Sequence, residues 1–318
     1  MRITELEISG YERIIQGVDH NPKMLGYDFC GFLVIHNTNL GPAIGGCRYY
    51  DYNNGMEQLE DAFRLAKGMT YKNALAGLNM GGGKATVQAY PKTDLFWKNF
   101  AEMVNYLDGM YITGCDMGVT TVDLKKISEY TDYVAYGKYD SGIATAYGII
   151  HSFFGLTEFL KNIGFYNDRT VAIQGLGKVG LRILHFLCSL HRKDLIAERY
   201  HGLLPKNFIV SDKDRDLAHE IVKRYEKNVA IVAVPPEDIY SVKCDVFMPC
   251  AMGGIINTAN ISTMQCNGIV GGANNQLKDN IVLRELKDKN IWYVPDYLAN
   301  AGGVIILEQI TRNKYIDL

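Results

Sequence analysis

RTVAIQGLGKVGLRILHFLCSL, residues 169–190, reads as an apolar strand, a glycine turn and an apolar helix, in that order. Gly175, Gly177 and Gly180 form a G-x-G-x-x-G set at the point where the strand gives way to the helix. Such spacing permits a tight turn, close approach of a pyrophosphate, and close packing of helix on strand, with the phosphate on the positive helix end. A glycine turn between strand and helix also arises for packing reasons alone, so context decides. Here NFIVSD (207–212) follows as a second strand ending on Asp212, where an acid binds a ribose diol and repels a 2′-phosphate. That favours NAD over NADP. The gap from Gly180 to Asp212 is longer than usual, and HRKDLIAERYHGLLPKN (191–207) reads as an insertion.

Working outward, TAYGIIHSFFGLTEFLKNIG (145–164) precedes the turn as a long helix ending on glycine. VAIVAV (229–234), DVFMPC (245–250), GIVGGANN (268–275) and IWYVPD (291–296) follow as short apolar strands with helical or loop connections. Strands alternating with helices in this way predict a parallel, doubly wound α/β sheet. Residues 1–137 have a different texture. GFLVIHNT (31–38) has strand length, and 56–76 and 94–109 carry apolar residues at helical spacing. Two glycine-dense stretches, GPAIGG (41–46) and GLNMGGGK (77–84), read as loops. The expected organisation is an N-terminal α/β substrate domain, 1–137, and a Rossmann-type dinucleotide-binding domain, 138–318, with a cleft between them.

A length of 318 residues agrees with two domains. Thirty-three Lys plus Arg against 35 Asp plus Glu leave a net charge of −2, which provides no electrostatic footprint for nucleic acid or an acidic membrane. The seven cysteines form no CxxC pair and no zinc spacing, and read as reduced thiols of a cytoplasmic protein. The histidines show no ligand spacing, so no metal is assigned. The first residues, MRITELEISGYERI, are too polar and acidic for a signal peptide, and the sequence shows no apolar run of spanning length.

Candidate chemistry lies in the first part. Lys72 and Lys84 flank a segment holding Gly77, Gly81, Gly82 and Gly83. A lone lysine is ordinarily a solvated surface cation, but Lys84 follows three glycines that let backbone approach a ligand closely. A lysine held beside a second cation gives up its proton more readily and serves as a base or proton donor. Asp116, in YITGCDMGVTT (111–121), adds a carboxylate in another glycine-flanked turn, where a capping role is the ordinary alternative.

Taken in order, GPAIGGCR (41–48), RLAKGMTYKNALAGLNMGGGK (64–84), YITGCDMG (111–118), AIQGLGKVG (172–180), PCAMGGIIN (249–257), GGANNQLKD (271–279) and PDYLANAGGV (295–304) resemble the glutamate/leucine/phenylalanine/valine dehydrogenase superfamily. Their wording is most similar to bacterial phenylalanine dehydrogenases, then leucine dehydrogenases. The resemblance implies oxidative deamination of an L-amino acid to a 2-oxo acid and ammonia with NAD, reversibly, by a homo-oligomer. It also implies site roles. Lys72 would hold the substrate carboxylate, Lys84 would activate water and polarise the carbonyl, and Asp116 would handle protons at the substrate nitrogen. Backbone at Gly45 and Gly46 would line the substrate pocket. Asn274 would position substrate and nicotinamide, and Thr145 would contact the carboxamide. Lys178, Val179, Ala251 and Met252 would border the cofactor with the three loop glycines. The family's C-terminal helices, which normally return to the first domain, are expected to be absent or shortened.

Side-chain preference follows from the same comparison. Glutamate dehydrogenases place a lysine before the paired glycines, where this chain has Ile44, and a hydroxyl on the last helix, where it has Leu307. With Gly114 and Val304, these residues predict an apolar pocket in which a carboxylate side chain would be buried unpaired. Gly114 leaves more room than the alanine of leucine dehydrogenases, which places phenylalanine ahead of leucine or valine. The rival reading is a non-catalytic protein that keeps this fold and senses an amino acid or nucleotide. A hydroxy-acid dehydrogenase would need a His/Arg pair that is not found.

Overall fold

The structure, a computed structural model, describes residues 1–21, 26–136, 140–190 and 198–316. The chain divides into two compact units, Met1–Tyr139 with Val304–Leu318, and Asp140–Gly303.

In the first unit β1 (Arg2–Leu6), β2 (Arg13–Asn21), β3 (Gly26–Asn37) and β4 (Ala43–Tyr50) precede helix α1 (Gly55–Leu75). Then follow β5 (Gly81–Gln88), α2 (Asp94–Tyr106), β6 (Tyr111–Cys115) and α3 (Thr121–Ile127). The sheet runs β1-β2-β3-β5-β4-β6, antiparallel as far as β5 and parallel among β5, β4 and β6. Asn54 starts α1 by accepting from the Glu57 amide, and its buried Leu59, Ala62 and Ala66 lie against Ile14, Phe32 and Val34 on one sheet face. On the other face α2, begun by Thr93, buries Phe96, Phe100 and Val104 with Phe29, Leu33, Cys47 and Tyr111. Each of the leucine, isoleucine, valine and phenylalanine side chains among them contributes about 1.5–3 kcal/mol of burial.

The two glycine-rich stretches correct the sequence expectation, because Gly45, Gly46, Gly81, Gly82 and Gly83 lie in buried strands rather than loops. A Cβ on Gly45 would sit 1.9 Å from the Gly83 carbonyl oxygen, and one on Gly82 would sit 2.1 Å from the Thr70 amide of α1. These glycines let α1 and the neighbouring strands approach one another, so their closest neighbours are the protein's own backbone.

The second unit holds α4 (Ser141–Asn162), β7 (Thr170–Gln174), α5 (Gly180–Ser189), α6 (Glu198–His201), β8 (Asn207–Ser211), α7 (Arg215–Tyr225) and β9 (Ala230–Ala233). It continues with β10 (Val246–Pro249), α8 (Thr258–Ile261), β11 (Gly268–Ile269), α9 (Asn280–Asp288), β12 (Trp292–Tyr293) and α10 (Asp296–Ala299). Its wholly parallel sheet has the order β12-β11-β10-β7-β8-β9. Numbered within the unit this is 6-5-4-1-2-3, the Rossmann order, whose switch point lies between β7 and β10. Helices α4, α5 and α7 pack on one face and α8 and α9 on the other. Helix α4, 22 residues with a mean hydropathy of 1.2 over its most apolar window, is long and apolar enough to cross a membrane. It spends its apolar face on this core through Ile149, Phe153, Leu156 and Leu160.

The last helix, α11 (Gly302–Ile316), departs from the expected division. The sequence assigns 304–318 to the second domain and expects the family's return helices to be absent or shortened. In the structure Val304–Leu318 groups with the first unit, where Leu307 faces Gly114 with room left for a Cβ between them. The expected boundary loop at 138–144 and the insertion at 191–207 fall partly on residues outside the described ones.

Candidate active site

The first unit gathers its charged side chains by strand register. Gly46 pairs with Gly114, and Arg48 pairs with Thr86 two residues beyond Lys84. Side chains alternate along a strand, so Ile44 and Arg48 of β4, Lys84 of β5 and Gly114 of β6 share one face, with Asp116 one step past β6. Lys84 Nζ lies 2.9 Å from Asp116 Oδ2, and Arg48 Nε lies 3.0 Å from the same oxygen. Arg48 Nη1 reaches Asp61 Oδ2 of α1 at 3.0 Å, where the Tyr52 hydroxyl also donates at 2.8 Å. Arg64 meets the other Asp61 oxygen at 2.9 Å. Burial acts to raise the Asp116 carboxyl, but Lys84 and then Arg48 outweigh it and hold it at about 2. Asp116 is therefore a carboxylate throughout the neutral range. The capping alternative is not the arrangement seen, since the described bonds of its side chain run to Lys84 and Arg48.

Around this cluster, Ile44 is fully buried and Tyr111 donates its hydroxyl to the Gly45 carbonyl at 2.6 Å. The Gly45–Gly46 backbone is thus fixed from beneath. A Cβ at Gly114 would meet Leu307 Cδ1 at 3.5 Å, an ordinary contact, so these two face each other. Val304 is buried at the start of the same segment. Lys72 stands near the end of α1, next to Asn73, whose amide donates to the Gly81 carbonyl at 2.5 Å. The structure thus places Lys84, Asp116, Ile44, Gly45, Gly46, Gly114 and Leu307 on or beside the β4–β5–β6 face.

The second unit builds the glycine turn as expected. Gly175 has φ +90°, open to glycine and strained for other residues, and its missing Cβ lets Ala251 approach. Gly180 lies under the Gly175 carbonyl, where a Cβ would sit 1.9 Å away, while a Cβ on Gly177 would meet nothing within 4 Å. Helix α5 starts without a side-chain cap, so its first amides have no side-chain acceptor. This turn and helix end fit a pyrophosphate. Asp212 stands at the end of β8 and accepts the Leu176 amide at 2.7 Å and the Asp214 amide at 3.0 Å, one on each oxygen. It therefore holds the glycine turn, with lone pairs left for a diol.

Lys178 is largely exposed and pairs with Asp140 at 3.3 Å, and Val179 packs toward Gly272. Met252 is exposed, and Asn274 accepts from the Asn300 amide at 2.8 Å. Thr145 lies on α4 beside Gly303, where a Cβ would sit 2.8 Å from its hydroxyl.

A family model described as Glu/Leu/Phe/Val dehydrogenase, dimerisation domain, matches residues 25–133. The Glutamate/Leucine/Phenylalanine/Valine dehydrogenase model matches residues 137–309. The chain belongs to this dehydrogenase family. It is 40% identical over 313 residues to a phenylalanine dehydrogenase of Lysinibacillus sphaericus, covering 93% of this chain and 78% of the relative. A leucine dehydrogenase of Geobacillus stearothermophilus is 39% identical over 282 residues, covering 86% and 72%. Among solved structures, L-tryptophan dehydrogenase from Nostoc punctiforme superposes with a TM-score of 0.70 at 33% identity, covering 97% of this chain and 88% of that one.

Within this Glu/Leu/Phe/Val dehydrogenase, the sequence reading omitted Arg48, Asp61 and Tyr111. Arg48 closes the quoted GPAIGGCR stretch, but a single arginine after glycines carries no signal of its own. Its partners lie 13 and 68 residues away in sequence.

Proposed function

We propose that the chain catalyses reversible, NAD-dependent oxidative deamination of an apolar L-amino acid to its 2-oxo acid and ammonia, with phenylalanine ahead of leucine and valine. The observation that carries this reading is the buried Lys84–Asp116 pair, 2.9 Å apart, beside Ile44 and Gly114. An α-amino acid presents a carboxylate, which calls for a cation, and an ammonium, which calls for a base. Lys72 would bind the carboxylate, and Asp116, held ionised, would accept the proton from the ammonium. Bound NAD supplies the chemistry of accepting hydride from the substrate Cα. Lys84 would then steer and activate the water that attacks the imino carbon and polarise the carbonyl as it forms, and protonation at nitrogen through Asp116 releases ammonia. Gly175, Gly177, Lys178, Val179, Gly180, Ala251, Met252 and Asp212 would hold the cofactor, with Thr145 and Asn274 toward its nicotinamide.

Relatives named for phenylalanine, leucine and tryptophan support an apolar substrate. Fully buried Ile44 and apolar Leu307 support it too, because a carboxylate side chain beside them would lack a partner. The dimerisation-domain description of 25–133 supports a homo-oligomer, and the free thiols support a cytoplasmic setting.

The test is NADH formation, followed by absorbance, over a panel of L-amino acids. The expected result is turnover of phenylalanine or leucine with kcat/KM about a hundredfold or more above glutamate, the scale of burying an unpaired carboxylate. Glutamate as best substrate overturns the pocket argument. NADH binding with no turnover of any amino acid hands the function to a sensor.

A further inference from the structure

Both described bonds to the Asp116 carboxylate fall on one oxygen. Lys84 Nζ and Arg48 Nε converge on Oδ2 at 2.9 and 3.0 Å, and none of the described hydrogen bonds or ion pairs reaches Oδ1. Arg48 is itself held from behind, since its Nη1 is fixed by Asp61 Oδ2, which the Tyr52 hydroxyl also engages. One planar guanidinium thus spans two carboxylates, Asp61 on α1 and Asp116 after β6, with side chains 12% and 16% exposed. A lysine offers a single nitrogen where the guanidinium places two separate ones in a fixed plane.

We infer that Arg48 is a positioning residue for the deamination chemistry: anchored by Asp61, it pins Oδ2 of Asp116 so that Oδ1 is the atom presented to the substrate ammonium. The inference rests on the proposed function and adds an orientation to it. A carboxylate free to rotate about its last bond would present either oxygen, and Lys84 alone fixes a point, not a plane. Arg48 and Lys84 together fix which oxygen is committed. The same contacts keep the carboxylate charged against its burial. Titratable and charged groups around Asp116 are Lys84 of β5, Arg48 of β4 and Tyr52 beyond β4, with Asp61 and Arg64 of α1 behind Arg48, and Cys47 of β4 and Tyr111 of β6 on the opposite sheet face. Cys47, Tyr52 and Tyr111 are all pushed upward by burial first, so the cations and Asp61 set the field in the neutral range. The competing account is a purely structural salt-bridge cluster, in which Arg48 would affect folding and nothing else.

The test uses full-length Arg48→Met, Arg48→Lys and Asp61→Asn. In each, the Asp116 carboxyl is titrated by carbon-13 NMR, with its resonance assigned by its loss in Asp116→Asn, and kcat, KM and melting temperature are measured. Positioning predicts that in Arg48→Met the Asp116 carboxyl titrates at least about one pH unit higher, a tenfold change in proton affinity. It also predicts a kcat per folded molecule at least about tenfold lower, with NADH affinity unchanged. Arg48→Lys restores the titration but not kcat, because the charge returns without the second prong. Asp61→Asn keeps the fold and lowers kcat by a smaller factor. If Arg48→Met melts earlier yet keeps the wild-type titration and a kcat within about twofold, the inference is overturned. If Arg48→Met does not fold, Arg48→Lys and Asp61→Asn decide in the same way through kcat. Should wild type turn over no amino acid, the functional reading fails and the orientation inferred for catalysis falls with it, while the titration still reports whether Arg48 holds Asp116.

Discussion

Lys84 Nζ, from the middle of β5, and Asp116 Oδ2, just past β6 on the far side of β4, stand 2.9 Å apart with side chains only 6% and 16% exposed. So buried a pair is a poor choice for stability alone, since desolvation offsets much of the attraction. Lys84→Ala should lower kcat by about 10²–10⁴-fold, the range for removing a general acid–base group. NADH affinity should stay within about twofold, because the glycine turn belongs to the other unit, and fluorescence titration would measure it. Equal turnover in variant and wild type would remove Lys84 from the chemistry.

Asp116 gives a pH prediction whose sign is fixed by its depressed carboxyl. The folded value, about 2, lies below the ordinary 3.8. The stability it contributes is therefore present above about pH 4 and is lost as pH falls through about 2. A depression of that size corresponds to about 2 kcal/mol. Asp116→Asn should be less stable than wild type at pH 7 in denaturant unfolding, because Lys84 and Arg48 lose their shared anion. The difference should narrow as pH falls from about 4 toward 2. A gap that stays constant over that range would show that the pair does not couple to folding.

The buried glycines predict a different kind of damage. Gly45→Ala would place its Cβ 1.9 Å from the Gly83 carbonyl oxygen, and Gly82→Ala would place one 2.1 Å from the Thr70 amide. Both neighbours are backbone and cannot swing away. Each substitution should cost at least about 1–3 kcal/mol, the usual range for overpacking, and lower the melting temperature of the folded fraction. Wild-type melting in either variant would mean that the strands separate more readily than their register suggests.

These glycines also show where sequence reading stops. Helices α1, α2 and α4 and the β7–α5 turn were legible because apolar spacing and glycine punctuation are local signals. Strands β4 and β5 were not, because glycine is a poor strand former and Gly45, Gly81, Gly82 and Gly83 read as loop. What makes them strand is the close approach of Thr70, Tyr111 and neighbouring carbonyls, contacts distant in sequence. The hairpin of β1 and β2 lacked a strong apolar alternation in the polar first residues. In the candidate site, Lys84, Asp116 and Gly114 were legible as residue types near glycines. The Arg48–Asp61 link was not, because it joins a strand to a helix through one side chain.

In the proposed reading, cofactor choice turns on Asp212, which would serve two duties. Its carboxylate accepts the Leu176 amide at 2.7 Å and, in the proposed cofactor site, would also bind the adenosine ribose. Wild type should prefer NAD over NADP by at least about tenfold in kcat/KM, about 1.4 kcal/mol. Asp212→Asn keeps an oxygen for the Leu176 amide but loses the charge that repels a 2′-phosphate. The NAD-to-NADP ratio should then shrink, with a modest fall in melting temperature because the Asp214 amide loses its oxygen. Asp212→Ala should lower both, since the turn loses its acceptor. A ratio unchanged in Asp212→Asn would show that the carboxylate serves the turn alone.

In the proposed pocket, Gly114 facing Leu307 would set substrate size. A Cβ added at Gly114 meets Leu307 Cδ1 at 3.5 Å and Cδ2 at 3.9 Å, both ordinary contacts, so Gly114→Ala fits without displacing the helix. Its melting temperature should therefore stay close to wild type, unlike that of Gly45→Ala. The added methyl instead takes up pocket space. Because one methyl group discriminates by about 1–3 kcal/mol in an apolar pocket, phenylalanine should lose about 10–200-fold in kcat/KM, with leucine and valine losing less. Leu307→Ala, which removes a larger group from the same spot, should move the preference back toward bulkier side chains. Parallel kcat/KM measurements for phenylalanine, leucine and valine in both variants check this directly. An equal loss for all three substrates in Gly114→Ala would place the side-chain pocket elsewhere and leave Leu307 as packing.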